Sequence, residues 1–269
     1  MHKYLIIILI ILFIIGLSYI VYNFKEGFEN KVKLSLLAQM KNETMNLKVW
    51  IDHYLWQGVE KIYLIDNGST DEPLKILKPY IDKGIVFYVS LPEKHKQVEH
   101  YKQVIKDEDL MNKTEWLIIC DLDEFFYGYP NKLIDTIDEY KNYDIIYSNW
   151  LMFGSDGLLD HPADIRKSIV WRDKTTHENT KYIIKLNKLQ NMNDIDLHKT
   201  NNITNKIIVN DKIKLNHYPI QSLDFFTKVK MTRGDATSNV VDNVRDMNYF
   251  NKYNENMNYK DTDLADLII

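Results

Sequence analysis

The stretch Trp116-Leu117-Ile118-Ile119-Cys120-Asp121-Leu122-Asp123-Glu124-Phe125 decides the fold. An apolar run that stops in three carboxylates reads as a central sheet strand, and the turn at its carboxyl end is where open α/β sheets place their ligands. Asp121 and Asp123, two apart, can both face a hard divalent ion such as Mg²⁺ or Mn²⁺, whose other positions go to water and the oxygens of a diphosphate. Alone, an Asp-x-Asp is equally the composition of a solvated acidic turn that ends a strand, so its context has to choose.

Upstream, residues 34–38, 61–65 and 85–89 are strand-like apolar runs. Helical patterns over 42–56, over a segment ending near Pro79-Tyr80, and over 97–106 separate them, and another follows at 133–140. Strands alternating with helices predict an α/β fold with a mostly parallel sheet and right-handed crossovers. The second strand runs into Asp66-Asn67-Gly68-Ser69-Thr70-Asp71, a turn from which Asp66 can reach a base or ribose. The same residues also suit a plain helix entry, with Ser69 or Thr70 as cap and Asp71 near the helix's positive end. Two acidic turns at the ends of two parallel strands fall on one edge, where one can hold a nucleoside and the other a metal-bound diphosphate. Beyond Asp144 the alternation weakens to strands at 145–147 and 182–185, a Gly-containing loop and an Asn- and Lys-rich stretch, the expected acceptor side of one continuous domain.

The chain has 269 residues and a net charge of −4, an ordinary globular balance without the basic excess of a nucleic-acid binder. Its single cysteine, Cys120, rules out an intrachain disulfide and a Cys-based zinc site, and its place in the strand makes it a packing residue. Residues 4–22 are almost wholly apolar, and roughly 19 residues at about 1.5 Å each give about 28 Å, enough to cross a bilayer. No small-residue cleavage site follows, so the segment reads as an uncleaved anchor. Lys25, Lys31 and Lys33 after the span outweigh Lys3 before it and point to a cytosol-facing domain, although so short an amino-terminal tail is compatible with a lumenal one. The predicted organisation is a tail at 1–3, a transmembrane helix at 4–23, a stem at 24–33, the catalytic domain at 34–247 and a loosely ordered tail at 248–269.

In order along the chain stand Lys41-Asn42-Glu43, His53-Tyr54 with Gly58-Val59, Asp66-Asn67-x-Ser69-x-Asp71, Gln97 with Tyr101, Trp116 with the Asp-x-Asp, Trp150 with Phe153-Gly154-x-x-Gly157, His198, and Asn216-His217-Tyr218 leading to Ser222, Lys228 and Arg233-Gly234. This series resembles glycosyltransferase family 92 and the family 2-like group, which share the Rossmann-like GT-A fold, over about residues 34–235. The resemblance implies a UDP-sugar donor, a divalent metal, usually Mn²⁺, and a glycan or other hydroxyl acceptor. It places Asp66 on the nucleoside, Asp121 on the ribose or a metal-bound water, Asp123 on the metal, and His217 as a further metal or diphosphate ligand. Lys41, Asn42, Glu43, Ser69 and Gln97 join the donor set, and Lys228 and Arg233 meet the diphosphate. The group is thought to invert, which requires a carboxylate base; Asp156 is the candidate, while Glu124 lies nearer the metal or points into the core. This chain lacks the disulfides and the longer stem common in the group. Asn67-Gly68-Ser69 is formally a glycosylation sequon inside the donor turn, where a glycan would obstruct the site, and it too favours a cytosol-facing domain. Two rivals remain: a haloacid dehalogenase-type phosphatase, whose Asp-x-Asp normally ends the first strand rather than the fourth, and an inactive membrane-anchored carbohydrate-binding protein.

Overall fold

The structure, a computed structural model, describes residues 11–18, 31–233 and 245–268. Most of the expected span at 4–23 lies outside the described residues. Its described part, 11–18, is helical with exposed apolar side chains, and among the described residues no helix is long and apolar enough to cross a membrane.

Strand β1 (Val32–Met40) is followed by helix α1 (Thr44–Trp56), β2 (Lys61–Asp66), helix α2 (Leu74–Asp82), β3 (Val86–Ser90), helix α3 (Gln97–Asp107) and β4 (Thr114–Ile119). These four strands are parallel in the order β3-β2-β1-β4. β1 therefore lies between β2, its successor, and β4, which returns on its other side. That reversal opens a crevice at the carboxyl ends of β1 and β4, where the acidic turn emerges. The strands read as continuous apolar runs because both faces are covered: Leu36, Ile118 and Trp50 belong to one core layer, and Leu37, Ile119 and Tyr101 to the other.

The rest of the sheet comes from the half in which the alternation weakens. β5 (Glu124–Gly128), β6 (Ile145–Met152), β8 (Thr180–Ile184) and β10 (Ile213–His217) extend the order to β3-β2-β1-β4-β8-β6-β10-β5, with β9 (Lys206–Ile208) on β6. β8 is antiparallel to both β4 and β6. Two reversals make β6 run parallel to β4, so the carboxyl ends of β6 and its parallel neighbour β10 share an edge with Asp121, as does the amino end of β8. β5 and β10 escaped sequence reading: β5 begins inside the acidic motif, and β10 lies in a stretch whose Lys and Asn residues mask its alternation.

The tail expected to be loose is ordered in its described part. Helix Met247–Lys252 buries Phe250, strand β11 (Tyr259–Lys260) pairs with β7 (Trp171–Arg172), Asp261 takes a salt bridge from Arg172 at 2.6 Å, and helix Asp263–Leu267 buries Leu264. Polar composition concealed this because each anchor is a single side chain.

At the far end of β5, Gly128 backs onto the following turn so closely that a Cβ there would lie 2.6 Å from the carbonyl oxygen of Asn131 and 2.7 Å from the backbone carbon of Lys132. Backbone cannot swing aside as a side chain can. Gly128→Ala is expected to lower stability by about 1–3 kcal/mol, read from urea unfolding, while leaving the far edge of the sheet unchanged.

Candidate functional site

The acidic turn is clamped from below by α1. Trp50 donates its indole N–H to the carbonyl oxygens of Asp121 and Glu124, both at 3.2 Å, and the Tyr54 hydroxyl donates to the Glu124 carbonyl at 3.0 Å. His217, the last residue of β10, stands in register with Glu124, and the backbone N–H of Tyr218 donates to the Asp123 carbonyl at 2.9 Å. The turn thus has almost no freedom, and its side-chain directions are set by backbone.

Each of its carboxylates has a different partner. Asp121 accepts from Lys181 at 2.8 Å through Oδ2 and from Gln97 at 3.0 Å through Oδ1. Burial opposes its ionisation, but the Lys181 ammonium outweighs that and holds it below the ordinary carboxylate value. Asp123 accepts from Lys230 at 2.5 Å through Oδ2, while its Oδ1 faces His217 Nε2 at 3.6 Å. Burial again disfavours the charge, and Lys230 and His217 prevail, keeping Asp123 well below the usual range. Glu124 is wholly buried; its Oε2 accepts from the Asp121 N–H at 2.8 Å, and Oε1 has no partner. Burial pushes it well above the ordinary value and Lys181 at 3.7 Å offsets only part, so Glu124 is the neutral member.

Of the other expected site residues, several gather around the crevice. Glu43 is buried and bonded by Arg233, which also donates to the Lys41 carbonyl, and Lys230 lies 3.9 Å from Glu43. Asn42, at a left-handed φ of 55°, and Ser69 interlock with the Asp66 turn: Ser69 Oγ accepts from the Asn42 N–H at 3.0 Å, and Asp66 accepts from the Ser69 N–H at 2.8 Å. The second oxygen of Asp66 accepts from the Tyr88 hydroxyl at 2.7 Å.

Four expected residues have other partners in the structure. Asp121 accepts from Lys181 through one oxygen and from Gln97 through the other. Glu124 is a buried brace for the Asp121 N–H rather than a group open to substrate. Lys228 points along an exposed helix face and pairs with Asp224 at 2.6 Å; Lys230, two residues on, occupies the site instead. Asp156 accepts from the backbone N–H groups of Val170 at 2.7 Å and Trp171 at 3.2 Å, so it pins a loop. The two buried lysines were missed because a lone Lys in Thr180-Lys181-Tyr182-Ile183-Ile184 or in Val229-Lys230-Met231 carries no signal until its carboxylate is known.

Asp123 and His217 suit a divalent ion as one hard oxygen and one imidazole nitrogen facing each other, with His217 Nδ1 buried and without a partner among the described residues. They are two ligands; among the described residues no group of three His, Cys, Asp or Glu side chains converges on a metal position.

Residues 37–267 match the family model of glycosyltransferase family 92. The chain belongs to glycosyltransferase family 92. A family 92 protein of Arabidopsis thaliana is 24% identical over an alignment of 229 residues that covers 77% of this chain and 38% of that protein; the chain thus spans well under half of the relative's length. Among solved structures, S. aureus TarS 1–349 is similar at 16% identity and a TM-score of 0.46, covering 69% of this chain and 60% of that one. GalNAc-T7, solved with UDP, GalNAc and Mn²⁺, is similar at 15% identity and a TM-score of 0.43, covering 71% and 44%. The family's span takes in every residue of the crevice described above and also the ordered carboxyl-terminal segment.

The lysine pairs yield a stability prediction. Lys181→Met should cost about 3–5 kcal/mol in urea unfolding at neutral pH, because it leaves ionised Asp121 beside a buried carboxyl without a cation. Asp121 has a depressed folded pKa, so its stabilisation is present above its unfolded value and is lost as pH falls through the folded one. The deficit of Lys181→Met should accordingly shrink as the pH is lowered through the carboxylate range.

Proposed function

We propose that this family 92 chain is a glycosyltransferase that takes a UDP-sugar donor into the crevice between β1 and β4 and transfers the sugar, with inversion, to a hydroxyl of a glycan or related acceptor. The observation that carries the reading is Asp123, an ionised carboxylate at the switch point with one oxygen on Lys230 and the other facing His217. Bare carboxylates at such an edge would repel a diphosphate, and here each has a cation beside it: Lys181, Lys230 and Arg233 stand within salt-bridge distance of Asp121, Asp123 and Glu43.

Asp123 and His217 would hold a divalent ion, Mn²⁺ or Mg²⁺, with phosphate oxygens and water completing its shell. When bound, that ion supplies positive charge against the negative charge gathering on the departing diphosphate. The chain's own part is positional. Trp50 and Tyr54 fix the turn, Lys181 and Gln97 hold Asp121 at its rim for a ribose, and Lys230 and Arg233 can exchange carboxylate partners for phosphate oxygens without leaving the crevice. The Asp66–Asn42–Ser69 interlock builds the floor on which a uracil would lie. The apolar residues 4–23 are proposed as the membrane anchor, with the catalytic domain facing the cytosol, in keeping with the lysines that follow them.

Calorimetric titration of UDP with and without Mn²⁺ tests the site apart from turnover. Asp123→Ala should abolish the Mn²⁺-dependent component, and His217→Ala should weaken it by roughly 10- to 100-fold. Unchanged Mn²⁺-dependent UDP binding in Asp123→Ala would remove the basis for the whole reading.

A further inference from the structure

Of the two carboxylates expected as base, Asp156 is bonded to a loop backbone and Glu124 is sealed in the core. The same sheet edge carries an imidazole that neither expectation used. Beyond β8 and β6 the pairing continues, Trp150 N–H donating to the Asn179 carbonyl at 3.1 Å and His177 N–H to the Trp150 carbonyl at 2.9 Å. Trp150 is thereby surrounded by rings: His217 at 4.3 Å between centroids, His198 at 5.1 Å and His177 at 5.4 Å. Among the described residues, the buried indole N–H of Trp150 has no hydrogen-bond partner.

Of these histidines, His198 is held in one tautomer. Its Nδ1 lies 3.2 Å from the Thr180 carbonyl oxygen, which only accepts, so Nδ1 carries the proton. Thr180 Oγ1 donates to the His198 carbonyl at 2.8 Å, closing a reciprocal clamp on the residue that precedes Lys181. Nε2 has no partner among the described residues, and the ring is half-buried rather than sealed. Its charged neighbours come from every packed element: Lys181 from β8, Asp121 from the turn after β4 and His217 from β10. Burial first, with Lys181 and His217 adding, favours the neutral ring. His177, by contrast, accepts the Asn179 N–H through its own Nδ1 and so presents a protonated Nε2.

Building on the transferase reading above, we propose that His198 Nε2 is the general base of the transfer, the ring being oriented by the Thr180 clamp and backed by Trp150. The acceptor's hydroxyl oxygen forms the new bond to the anomeric carbon, and the bond from that carbon to the diphosphate oxygen breaks with its electron pair leaving on the diphosphate. The hydroxyl proton passes to Nε2 and is later returned to water. The step uses no co-reactant beyond donor and acceptor.

The test uses the full chain, Mn²⁺ and a panel of UDP-sugars, reading UDP release with water as the acceptor and UDP affinity by calorimetry. His198→Asn keeps an N–H near the Nδ1 position and removes Nε2; it should retain UDP affinity within about twofold and the wild-type melting temperature while losing at least about 100-fold in turnover. His198→Ala should show the same loss and regain activity on addition of free imidazole, which a merely structural role would not allow. Wild-type turnover in His198→Asn overturns the assignment of the base and leaves the transferase reading standing, and so does a loss that imidazole does not restore. A wild-type chain that neither binds UDP nor releases it from any UDP-sugar overturns both.

Discussion

Everything at the carboxyl edge of this sheet depends on charge compensation in a place with little water. Asp121, Asp123 and Glu124 sit around one tight turn, and three carboxylates cannot all be ionised there without cations. The fold answers with two lysines brought from distant segments. Lys181 arrives because β8 is inserted antiparallel beside β4, which carries its first residues to the edge where β4 ends. Lys230 arrives on the 3₁₀ turn after helix Leu223–Lys228, and Arg233 follows it onto Glu43. Glu124, most deeply buried, takes the neutral form instead.

That arrangement links stability to function. A buried ion pair is poor value as a stabilising device, since desolvation consumes most of the Coulombic gain. Its presence at the carboxyl edge of the sheet gives the cations a second use under the proposed function, as partners for a diphosphate. The rigid parts are those that must not move: Trp50, Tyr54 and the β10 register hold the turn by backbone carbonyls, so exchange of cation partners need not disturb it.

The inserted β8 has a second consequence. It turns the carboxyl end of β6 toward the Asp-x-Asp edge and places Thr180 where it can clamp His198. An antiparallel strand within a mostly parallel sheet is therefore what joins the half carrying the acidic turn to the carboxyl-terminal half, and the Trp150 ring cluster lies at that junction.

Sequence alone determined the parallel half of the fold and the sheet edge to which the acidic turn belongs, because continuous apolar strands, helical periodicity and acidic turns are local patterns. It also singled out Asp123, His217, Gln97 and Arg233, which the fold brings to that edge. It could not supply Lys181 or Lys230, whose meaning arises only from carboxylates 60 and 107 residues away. Nor could it tell that Asp156 and Glu124 are consumed by backbone N–H groups while Lys228 faces outward, since a residue's type reveals what it can bond and not what it is given to bond. Tertiary structure decided those assignments by pairing strands far apart in the chain, and pairing alone sets which side chains share an edge.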